Sequence, residues 1–143
     1  MEEGLERFLD AQRHVYDTAL EEIKGGRKQS HWMWYIFPQL RGLGHSETAW
    51  YYGIKDGGEA KAYLGHPVLG ARLEEISAAL LGLDTDDAES IFGWIDALKL
   101  RSSMTLFDWA EQDGVYARVL EKFYDGQRDT EDACIAEIRG GLG

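Results

Sequence analysis

The sequence predicts an all-α fold, a single compact orthogonal domain of eight or nine mostly short helices that spans residues 1–143 and contains no sheet. Apolar residues recur at three- and four-residue spacing, the period of one helix face, through most of the chain. No run of residues alternates between apolar and polar for long enough to indicate a half-buried strand. A chain of 143 residues has the length of one domain, and such a domain buries about two-thirds of its unfolded surface.

The first helix is predicted to run without a break over residues 5–24, before a pair of glycines ends it. Arg7 and His14 fall on the polar face of this helix and are expected to meet solvent. Gln12 falls within the apolar face, where its amide either hydrogen-bonds to neighbouring backbone or contacts a ligand.

Capping residues and helix breakers place the remaining helices. Ser30 is a candidate N-cap for a short helix over residues 32–37, although an extended segment fits that apolar run equally well. Ser46 is expected to cap the next helix, the glycines at 57–58 to interrupt helical structure, and Pro67 to open a longer helix. The helices predicted from there on, in chain order, span residues 46–53, 59–64, 67–81, 85–92 with Thr85 as its cap, 95–111, 115–124 and 130–139.

The charge balance excludes two classes of partner. The chain carries 15 Lys and Arg residues against 26 Asp and Glu residues, which gives a net charge of −11. Such a chain repels the phosphate backbone of nucleic acids and the anionic surface of membranes, so neither is expected as a partner. A local cluster of cationic side chains could still hold a small anion.

Metal and cofactor motifs are missing from the sequence. The histidines lack ligand spacing, and Cys134 is the single cysteine, expected to be buried and inert. No Walker lysine and no nucleophile elbow occurs, so we expect no metal and no cofactor. The acidic start of the chain has no apolar signal region, and a cytoplasmic location is therefore expected.

Residues 30–46, SHWMWYIFPQLRGLGHS, are the most distinctive stretch, and we name them the central stretch. Seven of the 17 aromatic residues lie between Trp32 and Tyr52. This density indicates either the middle of the core or the wall of a pocket. The glycines at 42 and 44 form a turn before a serine cap, or free amides that attract an anion.

The helix predicted over residues 95–111 breaks the usual pattern. Lys99 and Ser102 fall inside its apolar sector, and Ser103 falls at the edge with Asp96. A lysine among apolar residues is costly unless it is paired. One interpretation is an ion pair between Lys99 and Asp96, with the hydroxyls bonded back to the helix. The other is a cationic, hydroxyl-lined floor for a small anionic ligand.

Three motifs resemble those of a known family. They are KxSHWMW at residues 28–34, FPQLxGLG at 37–44 and LKLxSSMTLF at 98–107. Together they resemble an uncharacterised family of small, mainly helical bacterial proteins, one mycobacterial member of which has a known all-helical structure. The resemblance implies the helical fold for nearly the whole chain. Family members often carry proline where this chain has Trp94 and Ile95, which leaves the start of that helix open.

A second segment is similar to a different family. Ser46-Glu47-x-x-Trp50-Tyr51 looks like the Ser-Glu-His-x-Tyr segment of NADAR-type N-glycosidases, helical proteins that act on ADP-ribose linkages. Thr48 stands where that segment has histidine. The resemblance implies an ADP-ribose-like ligand and an acid or base at Glu47, which otherwise is a first-turn acid beside a helix dipole.

The sequence therefore predicts a pocket for a small nucleotide- or sugar-derived anion, with the central stretch facing the Lys99 helix. His31 and Glu47 are the candidate acid and base, and an enzyme built on them would be an N-glycosidase or related hydrolase. The candidate ligand-binding residues are Lys28, Trp32, Trp34, Gln39, Ser46, Arg72, Lys99, Ser102 and Ser103. The alternative is a non-catalytic protein-interaction module with one exposed aromatic patch.

Overall fold

The computed structural model describes residues 2–41, 46–112 and 114–128. Nine helices form in this part of the chain, and its one β-type pairing is an isolated parallel bridge between Leu40 and Ile54. The helices are α1 (Glu2–Gln12), α2 (Tyr16–Lys24), α3 (Met33–Ile36), α4 (Glu47–Tyr51), α5 (Gly57–Gly65), α6 (Leu69–Leu81), α7 (Ala88–Phe92), α8 (Trp94–Ala110) and α9 (Val115–Tyr124). The all-α prediction is confirmed. The predicted helix over 130–139, Cys134 and the loop 42–45 lie outside the described residues.

Two long helices form the centre of the packing. Helix α8 packs against α5, α7 and α9, and α6 packs against α2, α5 and α9. The core is one cluster of buried side chains contributed by nearly every helix. Across the described residues, no helix is both long and apolar enough to cross a membrane.

The predicted single helix over residues 5–24 is wrong, because the chain turns between α1 and α2. Gln12 ends α1, and the N–H of Val15 bonds to the carbonyl of Gln12 at 3.1 Å. The Gln12 amide points inward and donates to Tyr35 O at 2.7 Å and to the Tyr63 hydroxyl at 3.0 Å. The interpretation that Gln12 pins backbone is therefore confirmed. Both halves keep one apolar face, so periodicity alone conceals the turn.

Arg7 was expected on the solvent face of α1, and the structure buries it. Its guanidinium pairs with Glu59 and donates to the carbonyls of Tyr51 and Gly53. The end of α4, the start of α5 and the segment between them cover this part of α1. Helical periodicity within α1 cannot indicate such a contact. His14, in contrast, is exposed as predicted.

The capping predictions divide into two groups. Ser46 caps α4 as expected, since its Oγ accepts from Ala49 N at 3.0 Å. Ser30 does not cap α3; its hydroxyl instead donates to Glu22. The glycines at 57–58 do not interrupt the chain but open α5, because the preceding Asp56 side chain accepts from Glu59 N at 2.9 Å.

Two further helix starts are shifted from their predicted positions. Helix α7 is capped by Asp87, and the Thr85 hydroxyl accepts from Asp87 N at 3.1 Å instead. Helix α6 begins after Pro67, where His66 Nδ1 accepts from Val68 N at 3.1 Å. At the start of α7 the Asp87 side chain accepts from Glu89 N, and at the start of α6 the His66 ring accepts from Val68 N and Leu69 N, so side chains satisfy free N–H groups at both helix starts.

Candidate functional site

Lys28, two residues before the central stretch, and Trp34 within it contact Asp96 and Lys99 of α8. Lys28 Nζ lies 3.0 Å from one oxygen of Asp96, and Lys99 Nζ lies 3.2 Å from the other. Lys99 Nζ also lies 4.1 Å from the centre of the Trp34 ring. We name these four residues the lysine–tryptophan cluster. It joins the first and third sequence motifs, which are far apart in the chain.

This cluster is mostly shielded from water. The side chains of Lys28, Asp96 and Lys99 are 9%, 18% and 22% exposed. The predicted ion pair between Lys99 and Asp96 is therefore present, and Lys28 adds a second ammonium to the same carboxylate. A lysine over an indole gains about 1–2 kcal/mol when it is partly desolvated. The main-chain N–H of Lys28 donates to Ile91 O at 2.8 Å, which holds this connection against α7.

Trp32 is not available to stack a ligand, contrary to the prediction. It is 1% exposed and packs against Phe37 and Phe92 in the core. Its indole N–H donates to Glu22 Oε1 at 2.9 Å. The neighbouring His31 is exposed, and its carbonyl accepts from the Tyr35 hydroxyl at 3.2 Å. One half-buried indole, that of Trp34, remains at the surface of the cluster.

The predicted hydroxyl-lined floor does not form. Ser102 and Ser103 lie one turn after Lys99 in α8, and both of their side chains are buried. Ser103 Oγ has no hydrogen-bond partner among the described residues. Thr105 Oγ1 bonds back to Arg101 O at 2.8 Å, as the structural interpretation of these hydroxyls predicted. The small side chains therefore serve helix packing rather than a ligand surface.

The other candidate residues lie elsewhere in the fold. Arg72 stacks over Tyr16, 5.2 Å from the ring centre, and donates to Gln12 Oε1 at 3.3 Å. Gln39 is half-buried beside the isolated bridge, where its main-chain carbonyl accepts from Ile54 N at 2.9 Å. The contacts of Arg72 tie α1, α2 and α6 together, and the main chain of Gln39 joins the segments before and after α4.

Ser46 and Glu47 belong to a separate surface groove. This groove has a volume of about 530 Å³ and is also lined by the exposed side chains of Trp50 and Tyr51. Glu47 is exposed in the first turn of α4, while Ser46 caps that helix. The candidate acid and base, Glu47 and His31, therefore do not line one cavity.

A different cavity opens beside the lysine–tryptophan cluster. It has a volume of about 430 Å³ and is lined by Arg27, Lys28 and Gln29. A further groove between α1 and α5, with a volume of about 380 Å³ and a lining that includes Leu5 and Leu9, was not predicted. No group of three or more His, Cys, Asp or Glu side chains in the described ranges could hold a metal ion.

Glu22 holds residues 29–32 in place through hydrogen bonds, a role that the sequence did not predict. Its carboxylate accepts from Gln29 N at 2.7 Å, Ser30 N at 3.0 Å and Trp32 Nε1 at 2.9 Å, and also from the Ser30 hydroxyl. Burial of the carboxyl favours its neutral form, but these hydrogen bonds outweigh burial and lower the pKa of Glu22 to about 2. No local pattern on α2 distinguishes Glu22 from the exposed acids beside it.

The model of one protein family matches residues 2–135 of the chain, and its description reads "Protein of unknown function (DUF1810)". The chain belongs to the DUF1810 family. A solved structure, that of the conserved hypothetical protein Rv1873 from Mycobacterium tuberculosis, is similar to this DUF1810 chain with 46% identity and a TM-score of 0.88. The similarity covers 91% of this chain and 94% of the mycobacterial protein. No match was found among curated proteins.

The resemblance to an uncharacterised helical family is thereby confirmed. Neither the family description nor the mycobacterial protein's description names an activity, a ligand or a partner. The similarity of the Glu47 segment to N-glycosidases stays a prediction.

Proposed function

We propose that this DUF1810 protein binds a small anionic metabolite that carries a ring, of the nucleotide- or sugar-derived type represented by ADP-ribose, at the lysine–tryptophan cluster. The observation that supports the proposal is the sharing of one carboxylate, that of Asp96, by two ammonium groups. One carboxylate neutralises one ammonium, so the cluster keeps an excess of positive charge.

Two further charged residues, Arg27 and Glu22, lie beside the cluster, one of each sign. Arg27 lines the adjacent cavity with Lys28 and adds a third cationic group. Glu22 adds a second carboxylate, and its oxygens are already occupied by the four hydrogen bonds described above. Three cationic and two anionic groups leave one positive charge in a chain of net charge −11. An anion is therefore favoured here and disfavoured over most of the remaining surface.

Trp34 supplies the contact for a ring. Its indole is half-buried, and Lys99 Nζ lies over the ring at 4.1 Å from the ring centre. A planar base or a sugar that packs on the free part of the indole would place its phosphates near the two ammonium groups. His31 is exposed in the same segment and is the remaining candidate for acid–base chemistry. Glu47 lines a different groove, so we propose binding and assign no reaction.

We expect ADP-ribose, NAD or ADP to raise the melting temperature of the purified protein. At a ligand concentration about ten times Kd, the gain in the free energy of unfolding is about 1.4 kcal/mol. For a chain of this length that gain corresponds to a shift of about 3–5 °C. Differential scanning fluorimetry against these compounds and a wider panel of anionic metabolites measures it.

Two lysine variants make the test specific. Lys99→Ala should abolish the shift, and it should leave the fold intact because Lys28 still pairs with Asp96. Lys61→Ala is the matched control, since it also removes an ammonium over an indole, that of Trp109 at 5.1 Å. The control should keep the shift. Equal shifts in both variants would refute binding at this cluster, and loss of the shift in Glu47→Gln alone would move the site to the α4 groove.

A further inference from the structure

The first two turns of α8 expose a row of large apolar side chains. Trp94, Ile95 and Leu98 are 64%, 52% and 47% exposed, and we name them the α8 stripe. Ala97 and Leu100 of the same turns are buried. Exposed apolar clusters that include tryptophan are typical of surfaces that bind another protein.

A groove beside the stripe combines apolar walls with an acidic edge. It has a volume of about 250 Å³ and lies between the start of α7, the start of α8 and the end of α9. Its apolar lining is Ala88, Trp94, Ala97, Leu98, Phe123 and Tyr124. Its acidic side chains are Asp86, Asp87 and Glu89, all of them exposed.

The lining of the groove also includes Arg101, whose side chain is half-buried. A guanidinium carries five N–H donors, and a main-chain carbonyl is an acceptor for them. Arg101 is therefore a candidate contact for the main chain of a peptide that lies in the groove.

We propose that the α8 stripe and this groove bind a basic amphipathic segment of another protein. An apolar side chain of the partner packs on Trp94 and Leu98, lysines or arginines beside it face Asp86 and Glu89, and a main-chain carbonyl accepts from Arg101. The acidic edge and the net charge of −11 select a basic partner over an acidic one. They also oppose a second copy of this chain, which would bring the same acidic edge to the interface.

Synthetic peptides test the proposal with the full chain. The probe is a fluorescein-labelled amphipathic peptide of leucine and lysine, and its partner probe carries glutamate in place of every lysine. Fluorescence anisotropy should show binding of the basic peptide and none of the acidic one, with affinity falling as salt rises. The basic peptide, prepared without the label, should also shift the tryptophan emission to shorter wavelength, and Trp94→Phe should remove that shift.

Matched variants separate the groove from non-specific attraction to an acidic protein. Leu98→Ser should weaken the basic peptide about tenfold, whereas Val68→Ser, at an exposed valine outside the groove, should not. Glu89→Gln with Asp86→Asn should weaken it about threefold or more, whereas Glu21→Gln should not. Asp87 is left unchanged because it caps α7. The proposal would be overturned if test and control variants lost the same affinity for the basic peptide, or if the acidic peptide bound. A protein dimer that Leu98→Ser dissociates would overturn it as well.

Discussion

Arg7→Ala is expected to lower the free energy of unfolding by about 3–5 kcal/mol, the usual cost of breaking a buried ion pair from one side. The side chains of Arg7 and Glu59 are 6% and 10% exposed, and their charged atoms lie 3.0 Å apart. Arg7 Nη2 also donates to Gly53 O at 2.7 Å, and Arg7 Nε donates to the carbonyl of Tyr51. Alanine would leave a buried carboxylate and two carbonyls without these donors.

Chemical denaturation of the wild type and the variant measures this loss, which corresponds to a fall in melting temperature of about 10–15 °C. Arg13→Ala is the matched control, because Arg13 forms an ion pair with Asp10 at the same distance of 3.0 Å, with side chains 61% and 63% exposed. That variant should change the free energy of unfolding by no more than about 0.5 kcal/mol. Similar values for Arg7→Ala and Arg13→Ala would contradict the structural role given to burial.

A double-mutant cycle separates the ion pair from the other contacts of Arg7. In a Glu59→Ala background, Arg7→Ala should cost less than in the wild type, since no buried carboxylate is then left unpaired. The difference is expected to lie between about 1 and 3 kcal/mol. An additive cycle would show instead that Arg7 acts through the two carbonyls alone.

Local signals account for the parts of the fold that the sequence predicted. Helix α9 has the predicted bounds, Val115–Tyr124, and Ser46 caps α4, because periodicity and capping act within a few residues. The turn between α1 and α2 was missed because it is set by the Gln12 amide, whose partners Tyr35 and Tyr63 come from later segments. The burial of Arg7 was missed for the same reason.

In the candidate site, too, contacts within one helix were predictable and contacts between helices were less so. The pair of Lys99 with Asp96 was predictable, since the two residues lie three apart on one helix. The residue types predicted that the central stretch meets the Lys99 helix. The ion pair of Lys28 with Asp96 and the packing of Lys99 on Trp34 are the contacts between them. The burial of Ser102 agrees with its predicted place in the apolar sector of the helix. The placement of Arg72 on another surface depends on how helices cross, and periodicity within each helix carries no information about that.

Glu22→Gln is expected to lower the free energy of unfolding by about 2 kcal/mol at neutral pH, and the loss should disappear in acid. Hydrogen bonds from Ser30, Gln29 and Trp32 lower the pKa of Glu22 from 4.5 to about 2, against the effect of burial. That difference in pKa corresponds to about 3 kcal/mol, which we reduce to about 2 because the carboxylate is half-buried and partly screened by water.

The sign of the pH dependence follows from the direction of this shift. A carboxyl whose pKa is lower in the folded protein stabilises the fold fully above its unfolded pKa, and the stabilisation is lost as the pH falls through the folded pKa. The stability difference between wild type and Glu22→Gln should therefore be constant above about pH 5 and shrink between about pH 4.5 and pH 2.

Urea denaturation at a series of pH values measures the difference, and subtraction removes the carboxyls that titrate alike in both proteins. Glu21→Gln, one residue earlier on the exposed face of α2, should show no such window. A difference as large near pH 3 as at neutral pH would assign the effect of Glu22 to packing rather than to its charge. The window as expected would establish that the charged Glu22 holds residues 29–32, and with them the loop that presents Lys28 to Asp96.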